Sequence, residues 1–224
     1  MSATDNVKTI LRFGDCTLLN LEDTFGLKQQ RTLPVLTSWL GRVAEISDLE
    51  RQILAIFQEG LIVNVHDWNE QELSLHFIGP LFSLVKFTTG QFNLFAERYF
   101  SAIVEEIELR GEPDGMVASG FREPKKPFFC FQEYKKHKDP NGDPAGQCLA
   151  AMLVAQELNE TKYPVYGCYV IGHDWYFMVL QGRDYAISQA YVATRDDIFD
   201  IFRILKGLKQ IITELIEQKS ANGL

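Results

Sequence analysis

The sequence predicts a protein of the α/β or α+β class. Capping signals followed by apolar residues at helical spacing indicate helices, and short apolar runs bounded by turn residues indicate strands. Along the chain these segments follow in the order helix, strands, helix, strands, helix. With 224 residues, of which 46% are hydrophobic, the chain is long enough to bury a substantial core.

Two helix starts are predicted in the first half of the chain. The sequence Ser-Asp-Leu-Glu at 47–50 is a capping box, and the apolar residues behind it predict a helix that ends near Gly60. Asn69 with Glu72 three residues later is a second start, and Pro80 is expected to bend the helix that follows.

The middle of the chain favours strands. Residues 92–109 fit both a helical and an alternating pattern, and we favour extended structure, above all in the second half. Turn residues at 111–115 precede a short apolar run at 116–121, which suggests a hairpin. Residues 128–135 form an aromatic strand whose far end is polar.

The second half combines helices and a hairpin. Asp143 is placed to cap a helix with Pro at its first position, running to Leu158. Strand-like runs at 165–171 and 175–180 are separated by a three-residue loop, and residues 185–187 fit a further strand. A long amphipathic helix opens near Asp197.

The strand at 128–135 carries the residues best suited to chemistry. Pro113-Asp114 is followed, after eighteen residues, by Glu133-Tyr134-Lys135. Residues two apart in a strand share a face, so Glu133 and Lys135 point together, and a neighbouring Asp114 would complete a charged group. Two carboxylates suit Mg²⁺, and a lysine can orient or deprotonate an attacking water, as phosphodiester hydrolysis requires.

This motif resembles that of the PD-(D/E)XK nuclease superfamily. The resemblance covers roughly residues 69–181 and implies a restriction-endonuclease-like core, a central mixed sheet flanked by helices. It also implies Mg²⁺ or Mn²⁺ as cofactor and DNA as substrate. Asp114 and Glu133 would be metal ligands with the main-chain carbonyl of Tyr134, and Lys135 the catalytic lysine.

Further residues resemble relatives of type I restriction subunits. The segment 69–81 is similar to their first core helix, where an acidic residue joins the metal site, and Glu70 is the candidate because Glu72 has a capping role. Gln147 matches a glutamine of some branches, although the tyrosine expected four residues later is Ala151. We therefore expect a nuclease-like domain over 69–224 and a helical N-terminal extension over 1–68, packed on the core.

Each candidate residue also has a structural explanation. Glu133 and Lys135 could be a solvated ion pair at a strand end, and Asp114 could simply form the Pro-Asp-Gly turn. Glu70 and Glu72 would be favourable at a helix start without any metal. His66, His76 and His173 are scattered without ligand spacing and receive no role.

Charge gives conflicting evidence on a DNA partner. With 22 Lys and Arg against 30 Asp and Glu, the net charge is −8, which gives no overall attraction to a polyanion. A local basic cluster is predicted around the proposed site, formed by Arg122, Lys125, Lys126, Lys135, Lys136, His137 and Lys138. The alternative is a non-catalytic binding or assembly protein that keeps the fold and pairs with itself or another protein.

Composition favours a cytoplasmic protein with no membrane partner. No apolar stretch approaches the roughly 18 residues that a membrane span needs. The four cysteines lack the spacing of a zinc knuckle or a disulfide scaffold, so each is expected to be a buried thiol.

Overall fold

The computed structural model describes residues 9–138, 142–160 and 163–221, with side chains to residue 218. The helices are α1 (Leu18–Phe25), α2 (Pro34–Leu40), α3 (Asp48–Asn64), α4 (Glu70–Leu73), α5 (Gly79–Val85), α6 (Pro144–Leu158) and α7 (Asp197–Ala221). The strands are β1 (Ile10–Arg12), β2 (Lys28–Gln29), β3 (Phe92–Ala96), β4 (Phe100–Val104), β5 (Ile107–Gly111), β6 (Gly115–Ser119), β7 (Lys125–Lys135), β8 (Val165–Ile171), β9 (Asp174–Gln181), β10 (Asp184–Ile187) and β11 (Tyr191–Val192).

The strands form one large and one small sheet. The large sheet has the order β2-β10-β9-β8-β7-β6-β3, with β11 also paired to β9, and the small sheet has the order β1-β5-β4. Strands β7 and β8 are parallel and are connected through α6. Strand β6 is antiparallel to both of its neighbours, β3 and β7. The predicted mixed α/β class is therefore confirmed.

Helices cover both faces of the large sheet. One apolar cluster joins the sheet to α2, α3, α5 and α7, with Trp39, Phe77 and Phe202 fully buried in it. The other joins the opposite face to α1, α6 and the small sheet. Helix α6 is buried over most of its length, because the large sheet, the small sheet and α1 surround it.

The predicted helix starts are confirmed by their caps. Reciprocal capping boxes join Ser47 to Glu50 and Asn69 to Glu72, and the Asp143 carboxylate accepts from the backbone N–H of Gly146. The predicted end of α3 at Gly60 is wrong, because Leu61 continues the buried stripe and the helix runs on to Asn64.

A turn of π-helix lies just before Pro80, where we expected a bend. Over Ser74–Ile78 the helix widens, and the backbone N–H of Gly79 donates to the carbonyl of Ser74. The widened turn directly precedes α5, and Pro80 lies at one of the first two positions after it.

Extended structure over 92–109 is confirmed, but the predicted hairpin at 111–115 is wrong. Strand β5 pairs with β1 and β4, and β6 pairs with β3 and β7, so both edges of each strand are already occupied. The turn therefore carries the chain from the small sheet to the large one. This crossing brings Asp114 to the border of the two sheets.

Residues 9–68 contribute to both sheets as well as three helices. Strand β1 pairs in parallel with β5, and β2 pairs in parallel with β10. The domain boundary at residue 68 stays a prediction. All four cysteines are free and buried, as expected, and no helix in the described part of the chain is long and apolar enough to cross a membrane.

Gly146 allows the N-terminal segment to dock on α6. A Cβ at this position would lie 2.5 Å from Thr17 Cα and 2.7 Å from Cys16 O. Backbone atoms cannot turn aside as a side chain can, so we expect Gly146→Ala to lower the free energy of unfolding by about 1–3 kcal/mol in a denaturant titration. The matched control is Gly60→Ala, because a Cβ there meets nothing within 4 Å. Equal stability of the two variants would contradict this packing.

Candidate active site

Glu133 and Lys135 form a largely buried ion pair at the end of β7. Lys135 Nζ lies 2.8 Å from Glu133 Oε1, and the two side chains are only 12% and 9% exposed. Tyr134 points to the other face, where its hydroxyl donates to Gln132 Oε1 over 2.7 Å. The prediction that Glu133 and Lys135 lie on the same face of the strand is confirmed. Their burial excludes the alternative that they form a solvated ion pair at the strand end.

Asp114 is attached to the same strand end. Its Oδ2 accepts a hydrogen bond of 2.6 Å from the backbone N–H of Tyr134. Pairing between β6 and β7 runs only as far as Gly115 and Gln132, so this N–H lies beyond the ladder and the carboxylate supplies its partner. Asp114 thus has a structural contact that reaches across to β7 rather than within its own turn.

Glu70 lies on the same side of the molecule as Asp114. Both line a cavity of about 520 Å³, here called the Asp114 cavity, together with Glu97 and Tyr134. Glu70 is the first residue of α4, where the capped helix start holds it in place. No sequence pattern indicated Glu97, which follows β3 with a φ of 49° and reaches this cavity through the pairing of β3 with β6.

The site raises the pKa of both of its carboxyl groups. Burial raises the pKa of Glu133 to about 7, and the charges of Asp114 and Glu70 add to the effect, while Lys135 opposes it. Burial likewise raises the pKa of Asp114, against the hydrogen bond from Tyr134 and the charge of Lys135. Burial opposes the charge on Lys135, but Glu133, Glu70 and Asp114 outweigh it and raise its pKa.

A preformed cage of protein ligands is not present in the described residues. Across 9–138, 142–160 and 163–221, no three His, Cys, Asp or Glu side chains are arranged to hold a metal ion. The donors at this site are the Asp114 and Glu133 carboxylates and the main-chain carbonyl of Tyr134, the residue that follows Glu133. Mg²⁺ is commonly held by one or two carboxylates and several waters, so this donor set fits Mg²⁺ or Mn²⁺.

Gln147 lies on the other side of Glu133. These two residues line a second cavity of about 400 Å³, here called the Glu133 cavity, which Asp114 and Glu70 do not line. The first turn of α6, capped by Asp143, positions Gln147 there.

Sequence comparisons add no relative to this picture. No family model matches the chain, and no match was found among curated proteins.

The predicted basic cluster is wrong as a single patch. Lys125 and Lys135 stand at opposite ends of the eleven-residue strand β7. Ten steps along a strand span roughly 33 Å. Arg122, Lys125 and Lys126 are therefore far from the site, and of the predicted set only Lys135, Lys136, His137 and Lys138 lie at its end of the strand.

Three histidines that are scattered in the sequence meet in the structure. The ring of His137 lies 4.6 Å from the rings of both His66 and His173. The three come from the chain after α3, the end of β7 and the β8–β9 turn, so no sequence spacing indicates their contact. Burial lowers the pKa of His137, as do the charges of His173 and His66, while Asp174 opposes them.

The histidine cluster is expected to make a pH-dependent contribution to stability. Because the folded protein holds the His137 proton less tightly than the unfolded chain, the contribution of His137 to the free energy of unfolding falls as the pH drops through about 6.5. Glu133, with its pKa raised to about 7, acts in the opposite direction over this range and is present in both proteins compared here. We therefore expect the Tm of His137→Asn to rise relative to that of wild type as the pH drops from about 7.5 to about 5.5. His76→Asn is the control, because His76 stacks on Trp68 outside the cluster. A Tm difference between His137→Asn and wild type that stays the same across this pH range would refute the assignment.

Proposed function

We propose that this protein is a divalent-metal-dependent nuclease that hydrolyses phosphodiester bonds in DNA. The single observation that supports this most is the placement of Asp114, Glu133 and Lys135 at one strand end, in surroundings that raise the pKa of both carboxyl groups. Two buried carboxylates that repel each other are stabilised by a bound cation. Glu70 and the Tyr134 carbonyl are further candidate ligands.

The order of elements supports a restriction-endonuclease-like core. A helix precedes β3, Asp114 lies directly before β6, β7 carries Glu133 and Lys135, and α6 leads to β8. In the sheet these strands are neighbours in the order β3-β6-β7-β8, with β8 parallel to β7. On this proposal β4 and β5 are an insertion between the first two core strands.

The chain's own residues would divide the work between them. Asp114 and Glu133 would hold Mg²⁺ or Mn²⁺, which when bound supplies a Lewis acid that activates water and stabilises the leaving oxygen. Lys135 Nζ, fixed 2.8 Å from Glu133, would orient the attacking water and offset the negative charge that develops on the phosphate. Glu70, across the Asp114 cavity, would add negative charge toward the metal.

Cleavage assays test the proposal directly. The full chain is incubated with linear single-stranded, linear duplex and circular duplex DNA, in Mg²⁺, in Mn²⁺ and in excess EDTA. We expect cleavage of at least one substrate in either metal and none in EDTA, because the cation supplies the chemistry. No cleavage of any substrate at millimolar metal would contradict the proposal.

One observation favours a second function, that of a non-catalytic assembly protein. Helix α3 exposes Leu49, Ile56 and Val63, which are 66%, 67% and 70% exposed and are spaced seven residues apart. Such spacing puts them along one side of the helix, a feature of surfaces that bind another helix. Size measurements on the wild type and on Ile56→Lys would show whether this stripe joins two copies.

A further inference from the structure

Two arginines stand in the wall of the Glu133 cavity. Its lining includes Arg12 of β1, Arg110 of β5 and Tyr99, together with Gln147 and two acidic residues, Glu112 and Glu133. A volume of about 400 Å³ falls within the range of small-molecule sites, about 300–1,000 Å³. The small sheet and the turn after β1 therefore form a cavity beside the candidate active site.

The two arginines are direct neighbours across the small sheet. Strands β1 and β5 are parallel, and their register pairs Arg12 with Arg110. Like charges in this position repel each other. Arg110 forms a long ion pair, with 3.8 Å between its Nη1 and Glu108 Oε1. Arg12 forms no ion pair with any described residue. A bound phosphate would relieve this repulsion, because guanidinium groups hold phosphate oxygens in pairs.

The packing of Phe13 fixes this pair in place. A Cβ on Gly111 would lie 2.4 Å from the Phe13 ring, so the ring sits directly on the backbone of β5. Phe13 directly follows Arg12, and Gly111 directly follows Arg110. The contact therefore holds the two strand ends together, and Arg12 and Arg110 both line the same cavity.

The other walls suit a nucleobase. Tyr99 is 60% exposed, and its ring contacts no other aromatic ring and forms no hydrogen bond among the described residues. Gln147 is only 8% exposed, yet its side-chain amide has no hydrogen-bond partner in the described part of the chain. An exposed ring can stack on a base, and a free amide can bond to its edge.

We infer that the Glu133 cavity binds one unpaired nucleotide, with Arg12 and Arg110 on its phosphate and Tyr99 on its base. Resting on the proposed function, this makes the substrate a single strand or a frayed end, because a base held in a duplex is not free to stack on Tyr99. The same chemistry would accept a free mononucleotide. In either case the nucleotide would lie beside Glu133 and Lys135.

Binding without metal tests the pocket separately from catalysis. Fluorescence anisotropy with a labelled single-stranded oligonucleotide in EDTA gives Kd for the full chain and its variants. We expect Arg12→Gln and Arg110→Gln each to weaken binding about tenfold, and Tyr99→Ala to weaken it by about fivefold or more. Arg31→Gln is the matched control, because Arg31 is an exposed arginine that does not line the cavity. Thermal melts check that each variant folds. If either arginine variant is unfolded, the Kd of Tyr99→Ala tests the pocket instead.

Competition identifies the occupant. Displacement of the oligonucleotide by dAMP but not by deoxyadenosine would support the phosphate contact, and binding of dAMP alone would assign the pocket to a free nucleotide. The inference would be overturned if the arginine variants bound the oligonucleotide with the same Kd as wild type, or if the protein bound neither the oligonucleotide nor dAMP. Either result would count against the pocket even if metal-dependent cleavage is found. Arginine-dependent binding without any cleavage would retain the pocket and remove the nuclease proposal.

Discussion

Replacing Lys135 with alanine is expected to lower the rate of metal-dependent DNA cleavage by about 10²- to 10⁴-fold. The ammonium group is held against Glu133 at the strand end and lowers the pKa of both site carboxyls. Its loss removes the group that would position water and balance the developing charge. Steady-state cleavage rates at saturating Mn²⁺ measure the effect.

The pH profile separates this catalytic role from a structural one. Lys135 opposes the rise in the pKa of Glu133, so its removal should raise that pKa above its value of about 7 in the wild type. Residual cleavage should therefore require a higher pH. Lys138→Ala is the control, because Lys138 is exposed and lies 3.6 Å from Asp67, outside the site. Cleavage by Lys135→Ala at the wild-type rate would exclude the catalytic role.

Asp114→Asn is expected to abolish cleavage and to weaken Mn²⁺ binding by at least about 100-fold. Asparagine keeps an oxygen that can accept from the Tyr134 N–H, so the contact to β7 survives while the negative charge is lost. Isothermal titration with Mn²⁺ measures the affinity. Asp23→Asn is the matched control, since Asp23 is exposed on α1.

Stability should move in the opposite direction from activity in this variant. The pKa of Asp114 is raised by burial, so the folded protein binds this proton more tightly than the unfolded chain. Stability from this group is therefore lost as the pH rises above about 4, and at about pH 8 the metal-free protein retains the full cost of a buried charge. We expect Asp114→Asn to unfold at the same or a higher temperature than wild type there. A large loss of stability would make Asp114 mainly structural.

Local chemistry explains why much of the fold could be predicted. The caps at Ser47, Asn69 and Asp143 satisfy backbone N–H groups that any helix start leaves free, and that requirement is visible in the sequence. The period of two along a strand likewise put Glu133 and Lys135 on one face. These features depend on a few neighbouring residues.

Features that depend on distant pairing could not be predicted. Arg12 and Arg110 become neighbours only because β1 adds to β5 in parallel, almost a hundred residues along the chain. His66, His137 and His173 meet in the same way, from three separate elements. The false hairpin at 111–115 shows the converse, because turn residues there indicate a change of direction but not which sheet the next strand joins.

The central claim is that Asp114 and Glu133 hold a divalent cation beside Lys135. A crystal structure of the full chain grown with Mn²⁺ tests it most directly, because anomalous scattering identifies the ion. We predict one strong peak bonded to a carboxylate oxygen of each residue, with Lys135 Nζ nearby, and loss of the peak in Asp114→Asn crystals. Mn²⁺ bound only elsewhere, or no bound ion with Glu133 still paired to Lys135, would contradict the proposed metal centre.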